Sequence, residues 1–149
     1  MTKPSAATLD PTALAQACAQ SMWAEDRASQ HFDMQIEQID AGQATLSMTV
    51  RDHMTNGHAT CHGGVLFTLA DSAFAFACNS YNQNAVAQMA SISFLSPAFV
   101  GDRLTATARE VTRKGRSGIY DTKITNQNGE VIAEFRGHSR TVKGTHLPE

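Results

Sequence analysis

The chain has 149 residues, 42% hydrophobic and 17% charged, with a formal net charge of −2. That balance specifies one globular domain over residues 1–149 with a sizeable core, and excludes a disordered chain. No basic excess points to nucleic acid or an anionic membrane as partner, and no apolar run approaches the roughly 20 residues of a membrane span.

Residues 1–10 read as a loose polar leader. Asp10-Pro11 then opens a helix, an N-cap residue followed by proline at the first helical position. Leu14, Cys18 and Met22 fall four apart along "PTALAQACAQSMW". Two runs with period-two alternation follow, Met34, Ile36, Ile39 and then Ala44, Leu46, Met48, Val50, with Asp40-Ala41-Gly42 between them. They read as a β-hairpin. "HMTNGHATCHGG" is a polar loop, and residues 63–79 after it form a helix that is apolar on nearly every side. Four strands complete the chain: "AVAQMASISFLSPAF", "DRLTATAREVTRKG", "SGIYDTKITNQ" and "EVIAEFRGHSRTVKG". Their breaks are Ser96-Pro97, Lys114-Gly115 and Asn128-Gly129, and residues 144–149 read as a tail. Strands joined by short turns are antiparallel, and a helix apolar all round must be wrapped. The expected class is α+β, a curved antiparallel sheet around one long central helix. Cys18, Cys61 and Cys78 are an odd set without framework spacing; they read as reduced thiols of a cytoplasmic protein.

Asp71 sits in the middle of the apolar helix, where an uncompensated carboxylate is costly. The helix begins with His62, Gly63 and Gly64. A loop ending in His-Gly-Gly, a long apolar helix with an acid on its third turn and a following strand ending in Ser-Pro resemble the hotdog-fold thioesterases. Within them, "NGHATCHGGVLFTLADSAFAFACNS" resembles the PaaI type, the phenylacetic-acid-degradation thioesterases. The resemblance covers residues 15–143. It implies hydrolysis of acyl-CoA thioesters, with phenylacetyl-CoA and hydroxyphenylacetyl-CoA favoured. It also implies homodimers with shared active sites whose sheets join edge to edge, commonly paired into homotetramers, and no metal or other cofactor. By position, Asp71 would attack the thioester carbon or activate a water. Asn56 would help hold substrate or that water, and His62 would brace the loop or touch the thioester. Where better-known relatives carry a hydroxyl on the strand after the helix, this chain has Ala87 or Met89, leaving Thr68 or Ser72 to supply it.

The residues make their own case. A helix N-terminus has unpaired N–H groups and a partial positive charge, and glycine lets a ligand approach it closely. Gly63, with Gly64, therefore suits a thioester oxygen whose charge grows during attack; tight packing would need the same glycines. Asp71 could equally be a buried acid satisfied by its neighbours, Asn56 a turn residue and His62 a structural one. Gly63 and Asp71 are eight residues apart, about 12 Å along a helix. Both can act on one carbon only if the site is shared between antiparallel helices of a two-fold dimer. Arg113, Lys114 and Arg116 form the densest basic cluster, either an exposed hairpin tip or a partner for CoA phosphates. Leu66, Phe67 and Phe74 are candidates for the acyl pocket and for the core.

Three other readings compete. A hotdog hydratase or dehydratase would use Asp52, Asn56 and His58, but their spacing is wrong and a proline is missing. A metal site could form from His53, His58, Cys61 and His62, which crowd into ten residues without finger spacing. A non-catalytic acyl-CoA-binding module would gain nothing from Asp71.

Overall fold

A computed structural model describes residues 2–149. Helix α1, Pro11–Trp23, begins where Asp10 Oδ1 accepts from Ala13 N–H at 2.8 Å. A one-turn helix α2, Arg27–His31, follows, capped by Asp26, and was not foreseen from the sequence. The strands β1 (Gln35–Asp40) and β2 (Gln43–Thr49) form the expected hairpin around Gly42, whose φ of 69° suits glycine. Met34, Ile36 and Ile39 depart from strict alternation because a bulge falls between Ile36 and Gln38. Helix α3, Gly63–Cys78, is followed by β3 (Ala85–Phe94), β4 (Arg103–Lys114), β5 (Ser117–Thr125) and β6 (Val131–Thr141).

All pairings are antiparallel, and the sheet order is β1-β2-β4-β5-β6-β3. The break at Ser96-Pro97 does not close a hairpin. The chain leaves β3 there and crosses the sheet, so that β3 pairs with β6 from Ala85↔Thr141 to Phe94↔Ala133 and forms an edge. The residues after β3 are too many for a tight turn, and the Leu95 and Ser96 amides are held by Ile132 O.

The sheet wraps α3, which touches all six strands. Leu104, Ala106 and Ala108 of β4 and Tyr120, Thr122 and Ile124 of β5 are fully buried on its inner face. Phe74 lies against Tyr120 and Phe135, at ring centroid distances of 5.7 and 5.8 Å. Gly137 of β6 makes room for it, since a Cβ there would fall 2.7 Å from the Phe74 ring. Each of Phe74 and Phe76, 1% exposed, contributes about 2–3 kcal/mol by burial.

The leader from Ala6 on and the tail are both held in place. Ala6 N–H donates to Pro148 O at 2.9 Å. Asn82 Oδ1 accepts from the amides of His146 and Leu147 at 3.0 and 2.9 Å, and Leu147 is buried. The two ends are pinned to each other and to the end of α3, through His146 and Asn79. No helix of the described residues is long and apolar enough to cross a membrane.

Candidate active site

The loop before α3 sets its N-terminus. Asn56 Oδ1 accepts from the amides of His58 and Thr60, at 2.9 and 3.3 Å, and from the Thr60 hydroxyl at 3.2 Å. That Asx-type brace closes a tight loop in which Ala59 adopts a φ of 61°. Cys61 N–H donates to Ala98 O at 2.7 Å and His62 N–H to Met54 O at 2.8 Å, tying the loop to two buried residues. His62 then caps α3, its Nδ1 accepting from Gly64 N–H at 2.8 Å.

The two glycines are thereby distinguished. The Gly64 amide is occupied by His62, whereas the Gly63 amide makes no hydrogen bond among the described residues. Packing also needs Gly63, because a Cβ there would lie 3.0 Å from the Phe94 ring. Gly63 and Asn56 line one cavity of about 370 Å³, together with Thr60, Cys61, Leu66, Phe94 and residues 95–98. Of the acyl-pocket candidates, Leu66 lines this cavity, while Phe67 packs on Phe135 and Phe74 is core. Phe94 was missed in the sequence; its signal was an apolar residue at the outward end of a strand just before Ser-Pro.

Asp71 lies apart from that cavity, two turns further along α3, and is half-buried. Burial raises its carboxyl above the usual range and the charge of Asp26 adds to this, with no hydrogen bond to it among the described residues. The helix hydroxyls are engaged elsewhere: Thr68 Oγ1 donates to Gly64 O at 2.8 Å, and Ser72 Oγ bonds Ser29 Oγ at 2.8 Å. Ala87 and Met89 of β3 are exposed.

Arg113, Lys114 and Arg116 lie at the β4–β5 tip, at the C-terminal end of α3 and so remote from Gly63 of the same chain. The tip adjoins Tyr81, whose hydroxyl donates to Glu110 at 2.9 Å. The Arg113 guanidinium stacks 3.5 Å from the Tyr81 ring centroid and stands 3.6 Å from Glu110. Lys114 and Arg116 are exposed. Burial pushes the Cys61 thiol up to about 11 and Cys78 to about 12, so neither is a nucleophile at neutral pH. Among the described residues no three His, Cys, Asp or Glu side chains converge. His53 meets the His31 ring edge to face, with centroids 6.2 Å apart.

Residues 58–133 match the family model of the Thioesterase superfamily. The chain is 46% identical to the acyl-coenzyme A thioesterase PaaI of Escherichia coli (strain K12) over 127 residues, which are 85% of this chain and 91% of that one. It superposes on the structure of the E. coli PaaI protein from the phenylacetic acid degradation operon with a TM-score of 0.90 at 43% identity, covering 91% of this chain and 99% of that one. A Streptococcus pneumoniae TIGR4 hypothetical thioesterase crystallised with coenzyme A superposes with a TM-score of 0.73 at 25% identity, covering 75% and 90%.

Proposed function

The chain belongs to the thioesterase superfamily, and from that premise we propose how its residues divide the hydrolysis of an acyl-CoA thioester between two protomers. The protein is a hotdog-fold acyl-CoA thioesterase of the PaaI type, a thioester hydrolase of phenylacetate degradation. Its substrates are CoA thioesters of phenylacetyl and hydroxyphenylacetyl type, which it converts to the free acid and CoA.

The observation that carries the mechanism is the Gly63 amide, which makes no hydrogen bond among the described residues and belongs to a helix-N-terminal residue lining a cavity shared with Asn56. The thioester oxygen sits against it, and the donor stabilises the charge that develops there, an effect worth about 10²–10³ in rate. Asn56 spends its Oδ1 on the loop and turns its amide nitrogen to the substrate or to water. His62 holds the Gly63–Gly64 turn in register. Asp71 of the partner subunit reacts as a carboxylate. It either bonds to the carbonyl carbon, giving an anhydride that water opens, or takes a proton from the attacking water. Collapse of the tetrahedral adduct breaks the C–S bond, and the CoA sulfur leaves as a thiolate and gains a proton.

The homodimer forms along β3. That edge strand is unpaired on one side and presents Val86, Met89 and Phe94, each about half exposed. An uncovered apolar edge invites a second strand, and two-fold pairing sets the α3 helices antiparallel. The C-terminal end of one helix then lies by the Gly63 end of the other, so the Lys114 and Arg116 tip serves the phosphates bound in the opposite site. The outer sheet face, where Arg109, Asp121, Lys123 and Glu134 surround a depression of about 620 Å³, suits the pairing of dimers into a homotetramer. Three unbridged cysteines fit a reducing compartment, the cytoplasm.

Thiol release from phenylacetyl-, hydroxyphenylacetyl-, benzoyl-, butyryl-, octanoyl- and crotonyl-CoA tests this. Asp71→Asn is expected to lower kcat by about 10²–10⁴ with the fold and oligomer intact. Near-native turnover by that variant would remove Asp71 from the reaction. Hydration of crotonyl-CoA, or tight binding without turnover, would favour the hydratase or the binding module.

A further inference from the structure

The short helix α2 carries a connection to α3 that the reaction above does not use. Asp26 caps α2 twice, accepting from Ser29 N–H at 3.0 Å through Oδ1 and from the Ser29 hydroxyl at 2.7 Å through Oδ2. Ser29 is fully buried, and its hydroxyl oxygen stands 2.8 Å from that of Ser72 on α3, the residue next to Asp71. The chain Asp26–Ser29–Ser72 is therefore a shielded polar bridge through otherwise apolar packing. Bridges of this kind hold a particular arrangement, because either hydroxyl left without its partner would be an unpaired buried group.

We propose, taking Asp71 as the reacting carboxylate, that Asp26 is a positioning residue for it: the Ser29–Ser72 bridge fixes α2 against α3 and holds a second carboxylate where its charge bears on Asp71. A nearby like charge disfavours ionisation, so Asp26 makes the Asp71 carboxylate more basic and a better proton acceptor or nucleophile. The Asp26 charge raises the Asp71 carboxyl, and burial is the larger influence. The titratable groups on the other elements packed on α3 are engaged by partners or lie on the outer side of the sheet and at its ends. The one titratable residue of α1 is Cys18, and β2 and β3 have none. On β1, Glu37 pairs with Arg103 and Asp40 accepts from Thr12. On the outer face, Asp121 pairs with Arg136 and Lys123 with Glu134, Arg109 and Lys114 are exposed, and His138 and Arg140 alternate with the buried positions of β6. Glu110, opposite Tyr120 near the C-terminal end of α3, is engaged by Arg113, Tyr81 and Tyr120. Beside the bridge, Glu25, Arg27 and His31 are exposed. On α3 itself, the Cys78 thiol is neutral at pH 7, and Asp71 helps to keep it so.

The test compares wild type with Asp26→Asn, which keeps an N-cap acceptor but removes the charge; Asp26→Ser is a second neutral cap should Asn fold poorly. Two quantities are read on the intact oligomer: the acid limb of kcat/KM against pH, and the titration of the Asp71 carboxyl by ¹³C NMR, assigned by its loss in Asp71→Asn. Both are expected to move to lower pH when Asp26 is neutral, with kcat at neutral pH reduced. Loss of a cap alone would lower Tm and leave both curves in place, and that result overturns the proposal. The Asp71→Asn variant separates the two failures: if it stays active, Asp71 is not the reacting group, whatever the NMR titration shows of Asp26.

Discussion

His62 shows how one side chain settles what its neighbours can do. By taking the Gly64 amide it caps α3 and leaves the Gly63 amide as the free donor. An N-cap of this kind is worth about 1 kcal/mol. His62→Ala is therefore expected to lower stability by about that amount in thermal or urea unfolding. His62→Asn, which supplies another acceptor, should restore most of it. If Asn restores stability but not kcat, the imidazole takes part in the chemistry as well; if it restores both, the residue works as a cap. The two roles that the sequence left open for His62 are thus separable by one pair of variants.

At the scale of elements, the α3–sheet interface depends on one small strand residue leaving room for a large one of the helix. Gly137 sits in β6, where glycine normally weakens a strand, yet the Phe74 ring fills the space that its side chain would take. Phe74 is walled in by Tyr120 and Phe135 and is 1% exposed, so it has no room to retreat. Gly137→Ala is expected to cost about 1–3 kcal/mol, the usual scale of overpacking, measured as a fall in the denaturation midpoint at unchanged m-value. Gly63→Ala differs, because its Cβ would stand 3.0 Å from the Phe94 ring, against 2.7 Å from the walled-in Phe74 ring at Gly137. Its effect belongs in kcat more than in Tm.

For the whole molecule, the edge position of β3 decides how a site could be completed. A chain whose Gly63 and Asp71 stand about 12 Å apart on one helix needs a second copy for both to reach one carbon, and β3 is the free edge closest to Gly63 through Phe94. Met89→Lys places a charge on that edge and is expected to yield monomers in sedimentation or light scattering, with turnover lost in step. A dimer that persists with full activity would exclude β3 as the joining edge. Mixing Asp71→Asn with an inactive Gly63 variant should recover part of the activity through hybrid dimers. No recovery once subunit exchange is shown would count against a shared site.

Local chemistry was enough to determine α1, the first hairpin, α3 and the strands after it. Caps, turn residues and hydrophobic period act over a few residues and are written where they act. The "TNGHATCHGG" loop and the third-turn acid were legible for the same reason, since their spacing along one loop and one helix is local. Only the tertiary structure decided what depends on contacts between distant residues. It placed β3 at the far edge beside β6 instead of in a hairpin with β4, packed Phe94 over Gly63, and joined Ser29 to Ser72 across 43 positions. It also buried Leu147 beneath an Asn82 clasp where a free tail was expected. The roles of Gly63 and Gly64 parted in the same way. Two adjacent glycines are alike in sequence, and they became different once the fold turned a histidine nitrogen onto the amide of one and set the other in the lining of a cavity.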